Sequence, residues 1–196
     1  MEADWEVELG GGARVIEPLW PGFVDLRRDP DRAYELQEAS QLPLLAGILV
    51  RLNGAESPVW TSKCDVWPVA DFDLDELDAP REAALHAVAC YVDLLPRGDQ
   101  HWDTQAATAA WCRNICALLR ALPMRCCRAD LIVRHAMLFS DRTNLGITAY
   151  LSACGPTPGN ASDVLAAALA VFADSIAPEA RPESAASKLQ WGHVGE

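Results

Sequence analysis

Trp60-Thr61-Ser62-Lys63-Cys64-Asp65-Val66-Trp67 alternates as a β-strand does, with Pro58 before it and Pro68 closing it. With a period of two, Ser62, Cys64 and Val66 point one way, and Thr61, Lys63, Asp65 and Trp67 point the other. One side is then for a core and the other is polar. A weaker version of the pattern stands at Arg128-Ala129-Asp130-Leu131-Ile132.

Reading outward from this pair, Leu85 to Leu95 is a second strand, Cys126 to Met137 a third and Leu145 to Cys154 a fourth. A helix fits Asp103 to Leu122, capped by Asp103 or Thr104 and stopped by Pro123. Trp111, Ile115, Leu118, Leu119 and Leu122 share its apolar face, with Arg113 and Arg120 opposite. Gly155-Pro156-Thr157-Pro158-Gly159 turns the chain into a last helix from Ser162 to Ile176.

The order strand-strand-helix therefore occurs twice. Lys63-Cys64-Asp65-Val66 matches Arg128-Ala129-Asp130-Leu131, and Ala89-Cys90-Tyr91-Val92 matches Thr148-Ala149-Tyr150-Leu151. A duplication of this kind predicts an α+β two-layer sandwich: a largely antiparallel sheet of four or more strands with helices on one face.

Ahead of it, Trp5-Glu6-Val7-Glu8-Leu9, Gly10-Gly11-Gly12 and Ala13-Arg14-Val15-Ile16 read as a hairpin, followed by an irregular segment anchored by Trp20 and Phe23. Asp29-Pro30 opens a helix that runs with breaks to Leu52, ended or kinked at Pro43 and stopped at Asn53-Gly54. The expected organisation is one domain over residues 1–177. Its first 55 residues are the hairpin and helix, residues 56–177 are the duplicated units, and residues 178–196, with Trp191, are a mobile tail.

Composition narrows the function classes. The chain of 196 residues can bury a sizeable core, and its net charge of -12 opposes binding to nucleic acid, whose phosphates need clustered Lys and Arg. The acidic start Met1-Glu2-Ala3-Asp4-Trp5-Glu6 has no apolar run behind it, and no stretch reads as a bilayer span, so no membrane role is expected. Seven cysteines, an odd number without an export signal, indicate reduced thiols and a soluble cytoplasmic protein. Abundant Ala and Arg point to a GC-rich bacterial source.

Superposing the halves collects Lys63, Asp65, Trp67, Tyr91 and Asp93 with Arg128, Asp130, Arg134 and Tyr150 on the sheet face away from the helices, joined by Thr148 and Ser152. Asp65 pairs with Asp130 and Tyr91 with Tyr150 across a pseudo-twofold. The plain reading is a solvated face laced with cross-strand ion pairs, each contributing about 0.2 to 1 kcal/mol. The functional reading is a site for a protein partner or a small polar ligand.

Other constellations carry less. Cys112 and Cys116 with Cys126 and Cys127 lack paired Cys-x-x-Cys knuckles, and small apolar packing accounts for the helical pair. Cys126 beside Arg125 and Arg128 resembles an activated thiol without a base in reach, since His135 falls on the opposite strand face. Asp71-x-Asp73-x-Asp75 with Glu82 follows a calcium-loop spacing but has Glu76 where glycine is needed. His86 and His101 stand alone. No metal or cofactor is expected.

The leading expectation is thus a non-enzymatic binding or interaction domain, with an inhibitor or immunity type as the variant that acidic charge favours and a homodimer as a further arrangement. The alternative is a small enzyme acting on a polar or anionic metabolite, with Asp65 or Asp130 as acid or base and Lys63 or Arg128 holding the anion.

Overall fold

The computed structural model describes residues 1–10, 21–81, 84–97, 102, 104–137 and 143–177. Strands β1 (Glu2–Val7), β2 (Val59–Val69), β3 (His86–Pro96), β4 (Cys127–Met137) and β5 (Thr143–Gly155) form one sheet in the order β1-β4-β5-β3-β2. With its helices, this makes the chain α+β. The β2–β3, β3–β5 and β4–β5 pairs are antiparallel, while β1 runs parallel to β4 with Glu2 opposite Arg128 and Val7 opposite Val133.

The sheet is therefore mixed rather than fully antiparallel, and β1 takes its partner from the far side of the sequence. Its alternation was legible, but a parallel partner leaves no mark in local sequence. The returning strand expected at 13–16 lies outside the described residues, as do the tail at 178–196, Trp20, Glu82, His101 and Asp103.

One side of the sheet is the core. Ala129, Leu131 and Val133 of β4, Ile147, Ala149 and Leu151 of β5, and Val92 and Leu94 of β3 are all fully buried there. Helices α2 (Pro43–Asn53), α3 (Gln105–Arg120) and α4 (Pro158–Ile176) supply the opposing residues, among them Leu45, Leu52, Leu119, Leu165, Leu169 and Phe172. Burying a side chain of this size contributes about 1.5 to 3 kcal/mol. Helix α4 lies on β5 and β3, α3 on β1 and β4, and α2 on β2. Two equal strand-strand-helix units would place α3 and α4 equivalently, and the packing does not.

The segment before α2 is a 3-10 turn, Pro30–Glu35, and a short α1, Gln37–Gln41. Pro43 begins α2, where its missing N–H costs nothing. Thr104 is the cap of α3, accepting a hydrogen bond from the Ala107 N–H at 3.2 Å. Helix α4 starts four residues before the expected Ser162. Thr157 accepts from the Asn160 N–H at 3.1 Å, with Pro158 in the first turn, so the Thr-Pro pair read as a turn is a helix start.

By length and composition alone α4, a helix of 19 residues containing an 18-residue window of mean hydropathy 1.2, is apolar enough to cross a membrane, which corrects the expectation that no stretch approaches that length. In this fold it packs on the sheet.

A bulge decides which β2 residues reach which face. Thr61 pairs with Leu94 and Cys64 with Val92, so Ser62 and Lys63 together oppose Asp93. Thr61 therefore turns to the helix side, contrary to the strict period-two reading. There the buried Asn53 of α2 donates from Nδ2 to Thr61 Oγ1 at 2.7 Å and to the Leu49 carbonyl at 2.8 Å, and its Oδ1 accepts from the Thr61 N–H at 3.0 Å. The expected helix-stop residue thus also fixes the bulge.

Beyond β2, the acidic loop docks by its apolar members. Leu77 is buried against Ala84, Ala87 and Cys154 with Phe72 and Leu74 beside it, and Arg125 clamps Asp78 at 2.8 Å. This fixes the loop over one end of the sheet.

Candidate functional site

The strand register lines up one row across the face opposite the core. Asp65 is opposite Tyr91, Tyr91 opposite Tyr150, Tyr150 opposite Asp130, and Asp130 opposite Asp4. Asp65, Tyr91, Tyr150 and Asp130, expected on a common face, lie on one face, and the strand order sets them in the sequence carboxylate-phenol-phenol-carboxylate. Trp67 completes a ring cluster: its centroid lies 6.1 Å from that of Tyr91 and 6.4 Å from that of Tyr150, and the two tyrosines are 5.8 Å apart. The tilted and edge-on geometries are those aromatic pairs prefer. All three rings are half-buried, while Asp65 is exposed and accepts a hydrogen bond from the N–H of its neighbour Val66 at 2.7 Å.

Adjacent rows are less open than a solvated face would be. Asp93 and Arg134 are each 6% exposed. Thr148 donates to Asp93 Oδ1 at 2.6 Å, and Arg134 reaches Glu8 at 2.8 Å while its guanidinium lies 5.7 Å from the centre of the Tyr150 ring. These two residues, expected at the surface, belong to a buried polar support for the ring cluster. Lys63 reaches Asp93's row only through the bulge. Ser152 lies opposite both Arg128 and Ala89.

Arg128 and Asp130 form a close pair, with Arg128 Nε at 2.9 and 2.8 Å from the two carboxylate oxygens. Beside them is a cavity of about 490 Å³ between β1, β4 and the acidic loop, lined by Asp4, Glu6, Glu76, Asp130, Arg128 and Tyr150 among others. Such a volume lies within the usual range for ligand pockets. The sequence reading missed Asp4, Glu6 and Glu76. Glu6 stands in an alternating strand whose partner was misassigned, and Glu76 belongs to a loop whose apolar residues dock while its acids face outward. That alternation was the available signal.

Burial and spacing narrow the acid-base chemistry open to these groups. Burial pushes the Tyr91 phenol up to about 12, with Asp93 and Asp65 adding to the effect, so it stays protonated at neutral pH. Asp65 and Asp130 stand three strand spacings apart, about 14 Å at about 4.8 Å each. Paired carboxylates that share a glycoside hydrolysis are only about 5 to 10 Å apart.

The thiols fare no better. Burial raises Cys64 and Cys112 to about 12, and Cys116, Cys127 and Cys154 to about 11, which suppresses the nucleophilic thiolate. Near Cys126, Arg125 is paired with Asp78 and Arg128 with Asp130. Among the described residues, no three His, Cys, Asp or Glu side chains converge to hold a metal ion.

Compared with known proteins, the chain matches no family model, no curated protein and no solved structure. Its own geometry carries the functional argument.

Proposed function

We propose that the chain is a non-enzymatic protein-interaction domain, of inhibitor or immunity type, whose binding surface is the outer sheet face centred on Trp67, Tyr91 and Tyr150. The observation that carries this reading is the row of half-exposed rings flanked by Asp65 and Asp130. Large aromatic side chains left at a surface are anchors for a partner, because they bury much area at small entropic cost. The buried Asp93–Thr148 bond and the Arg134–Glu8 pair hold the platform beneath them. A rigid platform of this kind suits binding. The 14 Å spacing of Asp65 and Asp130 argues against an enzyme that works by a pair of carboxylates.

A soluble, cytoplasmic, bacterial protein with a two-layer architecture belongs to the same reading. So does descent of the β2–β3 and β4–β5 pairs from one unit, supported by the palindromic Asp-Tyr-Tyr-Asp row. A second copy of the chain is a poor occupant of the face, since two surfaces of like charge would meet.

The test uses two baits, the wild-type chain and Tyr91→Ser/Tyr150→Ser, in extracts of the source cells. Proteins held by the wild type and depleted about tenfold or more on the variant support the face. The reading fails if everything captured is retained equally by a variant that remains folded.

A further inference from the structure

Resting on that reading, we infer that the partner is a basic protein and that one of its arginine or lysine side chains enters the cavity beside Tyr150. The cavity sets four carboxylates, those of Asp4, Glu6, Glu76 and Asp130, against the single guanidinium of Arg128. Arg128 is already bound to Asp130, and Asp4 reaches Arg120 at 3.3 Å. Glu6 and Glu76 are both exposed, and the Glu76 charge acts on Arg128 through space. The charge that would complete the site is therefore positive, and the cavity wall that leads to the ring cluster is a phenol.

Tyrosine faces attract cations within about 6 Å of the ring centre. Arg134 already lies at 5.7 Å from Tyr150, so this ring meets one guanidinium from within the fold. Continuity matters here. The cavity shares Tyr150 with the ring cluster and Asp130 with the central row, so a single partner surface can fill the cavity with a cationic side chain and lay apolar contact on Trp67 and Tyr91. The net charge of -12 supplies the long-range attraction that brings such a partner in. Phosphates and acidic peptides are repelled by the same charges.

The probe is a fluorescein-labelled hexa-arginine peptide, followed by anisotropy at physiological salt, with hexa-glutamate as the negative probe. Glu6→Gln/Glu76→Gln should weaken hexa-arginine binding about tenfold, and Tyr150→Leu about fivefold, as expected for charged pairs and an aromatic contact at an interface. Asp163→Asn, an exposed acid on α4, should change nothing. Equal weakening by Asp163→Asn shows attraction to the whole acidic surface and overturns the proposal, as does undiminished binding to the cavity variants. Spermidine that competes as strongly as the peptide assigns the cavity to a free polyamine, which also overturns it.

The bait experiment separates this failure from failure of the face itself. A captured protein that is lost on Tyr91→Ser/Tyr150→Ser, but is acidic or stays bound at high salt, overturns the basic partner and leaves the face standing.

Discussion

Replacing Asn53 by alanine perturbs the residue that ties the sequence of β2 to the site. Asn53 is 1% exposed and its side chain makes three hydrogen bonds, two of them to Thr61 at the edge of the bulge. Each neutral bond contributes about 0.5 to 1.5 kcal/mol, and a buried N–H left without an acceptor costs about 1 to 3 kcal/mol. The Thr61 N–H would be such a group. Asn53→Ala should therefore cost about 2 to 4 kcal/mol, and at about 2 to 4 °C per kcal/mol for a chain of this size the thermal midpoint should fall by about 4 to 16 °C.

Circular dichroism melts of Asn53→Ala against the exposed-site control Asn114→Ala measure this, and amide exchange reports whether Thr61 loses protection. A loss below about 0.5 kcal/mol, within the range of ordinary surface substitutions, together with an unchanged Thr61 exchange rate, would refute the assignment of Asn53 as the residue that fixes the bulge.

Thr148→Val leaves the buried Asp93 carboxylate without its 2.6 Å donor and should destabilise by about 1.5 to 3 kcal/mol in urea titrations, the range for a bond to a charged group; equal midpoints would sink the idea of a buried support. Gly155→Ala should destabilise as well, because a Cβ there would come within 2.8 Å of the Ala161 nitrogen at the start of α4, and a melt unchanged from wild type would show that β5 and α4 are not so closely joined.

Stability should also fall with alkali. The folded thiols hold protons up to about 11 or 12, whereas unfolded ones lose them near 9, so their contribution is complete below pH 9 and is lost as the pH rises toward 12; Tyr91 acts alike between its ordinary 10 and about 12. A urea midpoint that holds steady or rises across that window contradicts the burial of these groups.

Much of the architecture was legible because side-chain alternation and helical spacing are local properties. Four of the five strands, the apolar face of α3 apart from Leu118, which is 55% exposed, and the Asp65–Tyr91–Tyr150–Asp130 set followed from period and from the similarity of the two halves. What escaped depended on distant partners. The parallel union of β1 with β4 brings Asp4 and Glu6 to the site, and no feature of residues 2–7 names β4 as the neighbour.

The bulge at Ser62–Lys63 has Asn53 bonded at its edge across a turn, and strict period two put Thr61 on the wrong face. The expected exposure of Asp93 and Arg134 failed for a related reason. Alternation assigns a face, but it does not say how deeply that face is covered.

Installing a photo-crosslinking residue in place of Asp65, and separately in place of Leu118, tests the use of the outer face in cells. Asp65 is exposed beside the ring cluster, and Leu118 is 55% exposed on the helix side. Illumination should join a basic protein to the chain from position 65 and none from position 118. Adducts that arise from position 118 alone, or from neither position, would contradict the account.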